Sequence, residues 1–139
     1  MSVNITGSRS KGYLLEYLSG VGSAGKKYIA LSTGTISDDA GTGCVEPSTT
    51  NNYARVAIGS NSGNEMQYNS SISAYENATE IKFNHSVGDW GTIVAVAIWD
   101  SATGGNFLGA VNLDSSDYIT VRGNSIVYIP AGQLTIKVV

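Results

Sequence analysis

Residues 92–99 form the most apolar stretch of the chain and read Thr-Ile-Val-Ala-Val-Ala-Ile-Trp. They contain no glycine, proline or charge, and most are β-branched or aromatic, which favours a β-strand. Both alternating faces of this strand are apolar, with Ile93, Ala95, Ala97 and Trp99 on one and Val94, Val96 and Ile98 on the other. Such a strand must be covered on both sides, by a second layer, a closed barrel or a neighbouring subunit. Trp99, at its end, is predicted to be a structural residue.

A polar, glycine-rich segment follows this strand at residues 101–106. Gly104 and Gly105 can adopt positive φ, so the segment predicts a turn that leads into an antiparallel partner strand over residues 107–113. We expect this central hairpin, within residues 89–111, to organise the fold.

Shorter alternating segments on either side of the hairpin predict further strands. They lie at residues 28–33, 53–59, 79–83, 118–121, 125–129 and 133–139. Residues 66–75 alternate weakly and predict either a strand or an irregular crossing. Gly123 could supply the bend of a second hairpin. About eight short strands separated by turns predict an all-β fold, either an antiparallel β-sandwich of jelly-roll type or a partly closed barrel.

The N-terminal part of the chain has a different pattern. Residues 1–11 are polar, and their apolar residues show no regular spacing, which predicts an extended or flexible arm. Three leucines at helical spacing within residues 13–18 predict a short helix, which the glycines that follow would end. Residues 34–52 predict a long polar loop, and loops of this length in small domains are often functional or mobile. Residues 1–139 are predicted to form a single domain.

The low fraction of charged residues limits the kinds of partner that the chain is expected to bind. Only 14% of the 139 residues are charged, so Ser, Thr, Asn and Gly must supply most of the polar surface. The net charge is −3 and the eight basic residues are scattered, which argues against a nucleic-acid partner. No apolar run approaches the roughly 20 residues needed to cross a bilayer. The N-terminus lacks the basic and apolar regions of a secretory signal, so we expect neither membrane insertion nor export.

Residues that could act as a base or a nucleophile are few. His85 is the only histidine, and no Gly-X-Ser-X-Gly motif is present to mark a nucleophile. His85 is predicted to lie on a solvated turn. Cys44 is the only cysteine, which excludes an intrachain disulfide and predicts a small, partly buried apolar residue. No catalytic residue is therefore predicted.

Two pairs of carboxylates, Asp38–Asp39 and Asp114/Asp117, leave a glycosidase open because sequence spacing does not give spatial separation. The second pair also suggests a calcium loop, but it lacks the alternating register of an EF-hand and fits a solvated turn better. We expect no metal site and no cofactor. Among the aromatic residues, Tyr68 and Tyr75 lie in a polar stretch and are predicted to be exposed.

Five blocks of sequence, in a fixed order along the chain, carry a family resemblance. They are residues 28–33, 53–58, 77–83, 89–109 and 129–136. The fourth block holds Trp-Gly-Thr at the start of a strand and Asp-Ser-Ala-Thr-Gly-Gly-Asn in the hairpin loop. Together the blocks resemble small phage tail-fibre-type proteins from the tail modules of long-tailed phages and prophages.

This resemblance implies a non-enzymatic virion component of the tail tip, baseplate or fibre, with a role in host adsorption. It implies synthesis in the host cytoplasm without a signal peptide, assembly with other tail proteins, and a homo-oligomer, with a trimer favoured. No site residue carries over from the family. A carbohydrate-binding domain that contacts a host-surface glycan is the alternative function, and a cell-wall glycan hydrolase is the third.

Overall fold

The computed structural model describes residues 1–5, 27–59 and 62–138, in which an all-β fold of twelve short strands confirms the predicted fold class. The strands are β1 (Ser2–Ile5), β2 (Lys27–Ser32), β3 (Val56–Ile58), β4 (Met66–Asn69), β5 (Ala74–Asn77), β6 (Ile81–Lys82), β7 (Gly91–Ile93), β8 (Ala95–Trp99), β9 (Phe107–Asn112), β10 (Ile119–Val121), β11 (Tyr128–Ile129) and β12 (Thr135–Val138). Two short 3-10 helices, Thr49–Asn51 and Ser115–Asp117, lie between strands.

Eight strands form one large sheet, in the order β3-β2-β8-β9-β1-β12-β5-β4. Its pairings are antiparallel except that of β1 with β12, which is parallel and aligns Ser2 with Thr135 and Ile5 with Val138. The predicted central hairpin is confirmed as β8 and β9, and β8 also pairs along its whole length with β2.

The other four strands form a ribbon of two chain segments, residues 81–93 and 119–129, that run antiparallel. β6 pairs with β11 at one end of the ribbon, and β7 pairs with β10 at the other. Between them the ladder is interrupted, and the Ser86 hydroxyl bridges the gap by donating to the Arg122 carbonyl at 2.6 Å and accepting from the Ser125 amide at 3.0 Å. The two short sheets therefore act as one layer.

This ribbon and the large sheet share the main hydrophobic core. The sheet contributes fully buried residues that include Val3, Ile29, Leu31, Ile58, Val96, Ile98, Leu134 and Ile136. The ribbon contributes Ile81, Phe83, Trp90, Ile93, Val121, Val127 and Ile129. Burial of each large apolar side chain stabilises the fold by about 1.5–3 kcal/mol. The core therefore fixes the ribbon across one face of the sheet, as in a two-layer sandwich.

The opposite face of β2 and β8 is covered by the loop of residues 33–46. Ala30, Ala95 and Ala97 are buried there and contact Ile36 and the half-buried Cys44 of the loop. The Asn112 side chain fastens the loop, because its amide donates to the Ile36 carbonyl at 2.8 Å and its oxygen accepts from the Ile36 amide at 2.9 Å. Both faces of β8 are thus covered by the same chain.

Glycine is required where this loop doubles back on itself. Gly43 has φ +92°, and a Cβ there would overlap the carbonyl oxygen of Thr35. Gly34 faces the same constraint, because its Cβ would overlap the carbonyl oxygen of Gly43. The predicted long loop is therefore an ordered, close-packed cover for the small alanines beneath it.

The prediction that Ile93 lies on the same face of the strand as Ala95 and Ala97 is wrong. Ile93 lies in the main core with Val96 and Ile98, whereas Ala95 and Ala97 face the loop. The alternation changes at Val94, where the chain passes from the ribbon to the large sheet. There the Val94 amide donates to the Ser32 carbonyl at 2.9 Å, and its carbonyl accepts from Leu113 at 2.8 Å.

Two predictions of chain path also need correction. Residues 2–5 of the predicted arm form β1, in the interior of the large sheet between β9 and β12, and residues 6–11 lie outside the described residues. Gly123 does not bend a hairpin, because β10 and β11 pair with β7 and β6 rather than with each other. Its amide instead donates to the Asp89 carboxylate at 2.9 Å, and the chain continues along the ribbon.

The strands are also distributed differently from a jelly roll, with one eight-stranded sheet and two two-stranded ones. The weakly alternating residues 66–75 contain one strand and the start of another, since β4 and β5 form a hairpin. The helix predicted within residues 13–18 lies outside the described residues.

Candidate functional site

An open groove of about 620 Å³ lies where the ends of β1, β9 and β12 meet the ribbon. Its apolar lining consists of Met1, Val111, Leu113, Ile119, Ile129 and Pro130. Its polar lining consists of Asn112, Asp114, Asp117, Tyr128 and Gln133. The groove thus combines an apolar surface with an aromatic ring, two carboxylates and the side-chain amide of Gln133, since the Asn112 side chain is bound to Ile36.

The first wall of the groove is the turn that follows β9. The Leu113 amide is bound to the Val94 carbonyl, and the Asp117 amide donates to the Asp114 carbonyl at 2.8 Å. These bonds close a short 3-10 helix whose residues are all exposed. Asp114 and Asp117 therefore approach the groove from the same short turn.

The second wall is the segment between β11 and β12, and the buried side chain of Asn77 holds it in place. The Asn77 amide donates to the carbonyls of Ile129 at 3.3 Å and of Pro130 at 2.9 Å. Its oxygen accepts from the Leu134 amide at 2.9 Å. Because one fully buried side chain satisfies both ends of this segment, the wall that carries Tyr128 is preorganised.

Tyr128 is the most accessible large hydrophobic side chain of the groove, with 55% of its surface exposed. Ile119 is 38% exposed, although its cross-strand partner Ile93 is fully buried. An aromatic ring beside carboxylate and amide groups suits a ligand that has both an apolar face and hydroxyl groups, such as a sugar ring. Binding is therefore the chemistry that this arrangement supports.

The two predicted carboxylate pairs have different surroundings. Asp114 and Asp117 both line the groove, whereas Asp38 and Asp39 lie exposed on the loop over β8. The backbone and side chain of Thr42 donate hydrogen bonds to the Asp38 carboxylate and lower its pKa. These hydrogen bonds shape the turn of the loop. No group of three or more metal-ligating side chains occurs in the part of the chain that the structure describes.

The remaining predicted residues lie outside the groove lining. His85 is exposed, as predicted, and Cys44 is half-buried under the loop, where burial raises the pKa of its thiol. Tyr68 is 58% exposed, as predicted, but Tyr75 is only partly exposed because it packs against the main core. The two tyrosine rings meet edge-on at 5.4 Å across the β4–β5 hairpin.

A second cluster surrounds Arg55 at the other end of β8. The Arg55 guanidinium binds both oxygens of Glu46 at 2.8 and 2.9 Å and lies 4.4 Å from the Trp99 ring centroid. It also donates to the carbonyls of Ser101 and Gly104, both at 2.8 Å. Arg55 therefore ties the turn of the central hairpin to the loop that covers β8.

Tyr53 extends this cluster into the core. Its hydroxyl donates to Glu46 at 2.7 Å and accepts from the Leu31 amide at 3.0 Å. Burial, together with the Glu46 carboxylate, raises the pKa of Tyr53. Burial alone would raise the pKa of Glu46, but hydrogen bonds from Arg55 and Tyr53 lower it. Because these polar groups satisfy one another, we interpret the cluster as structural.

Trp99 is half-buried within this cluster and stacks edge-on against Phe107 at 5.5 Å. Its packing fits the predicted structural role. Its indole nitrogen is buried, and it is the only buried side-chain nitrogen or oxygen without a hydrogen-bond partner among the residues that the structure describes.

The groove itself was not predicted from the sequence. Its walls come from segments near residues 1, 111–119 and 128–133, which only the folded sheet brings together. The one local signal was Asp114/Asp117, because these carboxylates follow an apolar strand and precede Tyr118 and Ile119, which are both exposed.

The fold and the groove define an all-β protein with a preorganised surface site suited to binding. The chain belongs to the family of the podophage GP4 fiber I protein gp80, which matches residues 19–137. It is therefore a phage tail-fibre-type protein, although the matched family is described from a podophage rather than a long-tailed phage. Comparison with the curated proteins gave no match.

Family membership indicates a structural component of the virion tail that associates with other tail proteins. None of the described helices is long and apolar enough to cross a membrane.

Proposed function

We propose that the protein is a structural component of a phage tail fibre that contributes to host adsorption by holding a surface glycan in the groove. The observation that carries this proposal is the exposed Tyr128 ring, which lines the same groove as Asp114, Asp117 and several apolar residues. A sugar ring presents C–H groups that pack on an aromatic face and hydroxyl groups that hydrogen-bond to carboxylates and amides.

The charge of the groove supports neutral rather than acidic glycans. Asp114 and Asp117 would repel the carboxylate of an acidic sugar, and like-charge repulsion is a common source of discrimination between ligands. Both carboxylates belong to one short turn. A glycan hydrolase instead needs carboxyl groups that flank the scissile bond, so the geometry favours binding over hydrolysis.

The test is binding of the full chain to an array of neutral, amino and acidic glycans. We expect the wild type to bind neutral glycans, and Tyr128→Ala to lose at least tenfold in affinity because it removes the ring from the groove. Tyr68→Ala is the matched control, since Tyr68 is similarly exposed but lies on the β4–β5 hairpin. It should change glycan affinity less than twofold.

Two results would contradict the glycan proposal: no binding to any glycan, or equal loss in the Tyr128→Ala and Tyr68→Ala variants. The structural role is tested separately, by mass spectrometry of washed virions and by antibody labelling of tails under the electron microscope. Detection of the protein only in the infected-cell lysate, and never in washed particles, would overturn that role. Release of reducing sugar from purified cell walls would favour the hydrolase instead.

A further inference from the structure

The two outer edges of the large sheet, β3 and β4, differ in how their backbone groups are satisfied. At the β3 edge, the Ala57 carbonyl accepts from the Asn64 side-chain amide at 2.8 Å, and the Gly59 amide donates to the Asn64 carbonyl at 2.9 Å. Asn64 thus folds over this edge and occupies the carbonyl of Ala57, which another strand would need. The β3 edge is closed.

At the β4 edge, the outward backbone groups belong to Met66 and Tyr68. The Ala78 amide donates to the Glu65 carbonyl at 2.9 Å, so Glu65 faces β5. Alternation along an antiparallel strand then turns Gln67 and Asn69 toward β5 and turns Met66 and Tyr68 away from it. In the described part of the chain, the backbone groups of Met66 and Tyr68 have no hydrogen-bond partner.

The sequence of β4 does nothing to block this open edge. Natural sheets protect their edge strands with lysine, proline, bulges or inward-pointing charges. β4 reads Met-Gln-Tyr-Asn, with no charge and no proline, and Tyr68 is 58% exposed. An unprotected edge of this kind is a template for pairing with another strand.

We propose that β4 pairs antiparallel with β4 of a second copy of this chain, across a twofold axis at Gln67. In this register Met66 of each copy faces Tyr68 of the other, so the outward amides and carbonyls of both residues are satisfied by strand residues alone. A shift that paired Tyr68 with Tyr68 would instead place Met66 opposite Ser70, which lies in the turn beyond the strand.

The charges flanking β4 are compatible with this register. Glu65 of one copy lies opposite Asn69 of the other, so the two Glu65 carboxylates do not face each other. Gln67 faces its own copy at the axis, where two uncharged amides meet without repulsion. The pairing joins two sheets edge to edge and gives a dimer, rather than the trimer that the family resemblance favours, because the β3 edge is closed.

The first test is the mass of the full chain in solution, measured by light scattering after size exclusion at micromolar concentration. We expect twice 14.5 kDa for the wild type, with dissociation on dilution. Tyr68→Pro removes one outward amide and should give a monomer, whereas proline on the free side of an edge strand leaves the β4–β5 ladder intact. Circular dichroism and thermal melting check that the variant is folded.

The matched control is Tyr68→Ala, which removes the ring but keeps the backbone donor and acceptor. It should remain dimeric, because main-chain hydrogen bonds carry the pairing. A wild type that stays at 14.5 kDa at all concentrations would overturn the proposal. So would a dimer that is lost equally in Tyr68→Ala and Tyr68→Pro, because the ring and not the strand edge would then form the contact.

Charged substitutions at Gln67, which lies on the proposed twofold axis, test the register of the two β4 strands. Gln67→Lys and Gln67→Glu should each weaken the dimer, because like charges would meet across the twofold axis. Since Gln67 also donates to Glu76 of its own copy at 3.1 Å, thermal melting checks that the β4–β5 hairpin survives in both variants. An equimolar mixture of the two variants should restore a dimer, since opposite charges then face each other. Dimers that persist unweakened in both single variants, or a mixture no more dimeric than either variant alone, would show that the two copies meet elsewhere.

Discussion

The two faces of the central strands β2 and β8 are covered in different ways. On one face, large aliphatic side chains such as Ile29 and Ile98 interlock with those of the ribbon. On the other, Ala30, Ala95 and Ala97 leave room for the backbone of the 33–46 loop to approach closely. Large side chains hold a layer by apolar burial, whereas a loop over alanines must be held by hydrogen bonds.

Those hydrogen bonds come from residues at the two ends of the loop-covered face. Asn112 clamps Ile36 at one end, and Arg55 binds Glu46 and the hairpin turn at the other. The core face should therefore determine global stability, and the loop face should open locally at a lower free energy. Three changes test this difference.

Ile98→Ala should have the largest effect. Ile98 faces the ribbon side of the sheet and has no solvent-accessible surface. Removing its side chain leaves a cavity in the main core, and such changes cost about 2–5 kcal/mol. Urea unfolding followed by fluorescence measures the loss. A cost below about 1 kcal/mol would mean that the ribbon repacks, and that the core face is less rigid than we infer.

Asn112→Ala should have an intermediate and local effect. It leaves the Ile36 amide and carbonyl without the partners that hold the loop, at a cost of about 1–3 kcal/mol. Hydrogen exchange should quicken most at the Ile36 amide and much less at Ile98 in β8. Equal acceleration at both amides would show that the loop and the core open together.

Lowering the pH should have the smallest effect. Because hydrogen bonds from Arg55 and Tyr53 outweigh burial and lower the pKa of Glu46 from its usual 4.5, the ionised carboxylate stabilises the folded state at neutral pH. That contribution is present above pH 4.5 and is lost as the pH falls through the lowered pKa of the folded protein. We expect a loss of unfolding free energy smaller than that caused by Asn112→Ala, measured by urea unfolding at a series of pH values.

Glu46→Gln provides the comparison for this pH effect, because glutamine cannot titrate. The difference in unfolding free energy between wild type and Glu46→Gln should narrow as the pH falls below 4.5. A difference that stays constant down to pH 2 would mean that Glu46 does not titrate in this range with a lowered pKa.

The pattern of apolar and polar residues was sufficient to predict those strands and turns that their own residues specify. The central hairpin follows from an uninterrupted apolar run and a glycine-rich turn, and the structure places β8 and β9 there. β1 could not be found in this way, because Ser-Val-Asn-Ile has little strand signal of its own. It is a strand because it pairs with β12, at the far end of the sequence.

The groove and the phase of Ile93 depended on contacts that sequence alone does not specify. Ile93 faces the main core because the chain changes sheets at Val94, and such a crossing leaves no mark on the apolar pattern. Tyr128 and Asp117 line the same groove only after the two chain segments of the ribbon have paired with each other. The groove and the orientation of Ile93 both depend on pairing between strands that are distant in sequence, rather than on the strand preference of single residues.

The parallel pairing of β1 and β12 also bears on how a fibre protein carries load. Ser2 lies beside Thr135 and Ile5 beside Val138, so the N-terminal end of β1 and the C-terminal end of β12 lie at opposite ends of their ladder. A pull applied to the chain before β1 and after β12 would slide the two strands past each other. All the hydrogen bonds of the ladder would then resist together instead of opening one at a time. Tension applied at these two points would therefore load the ladder in shear.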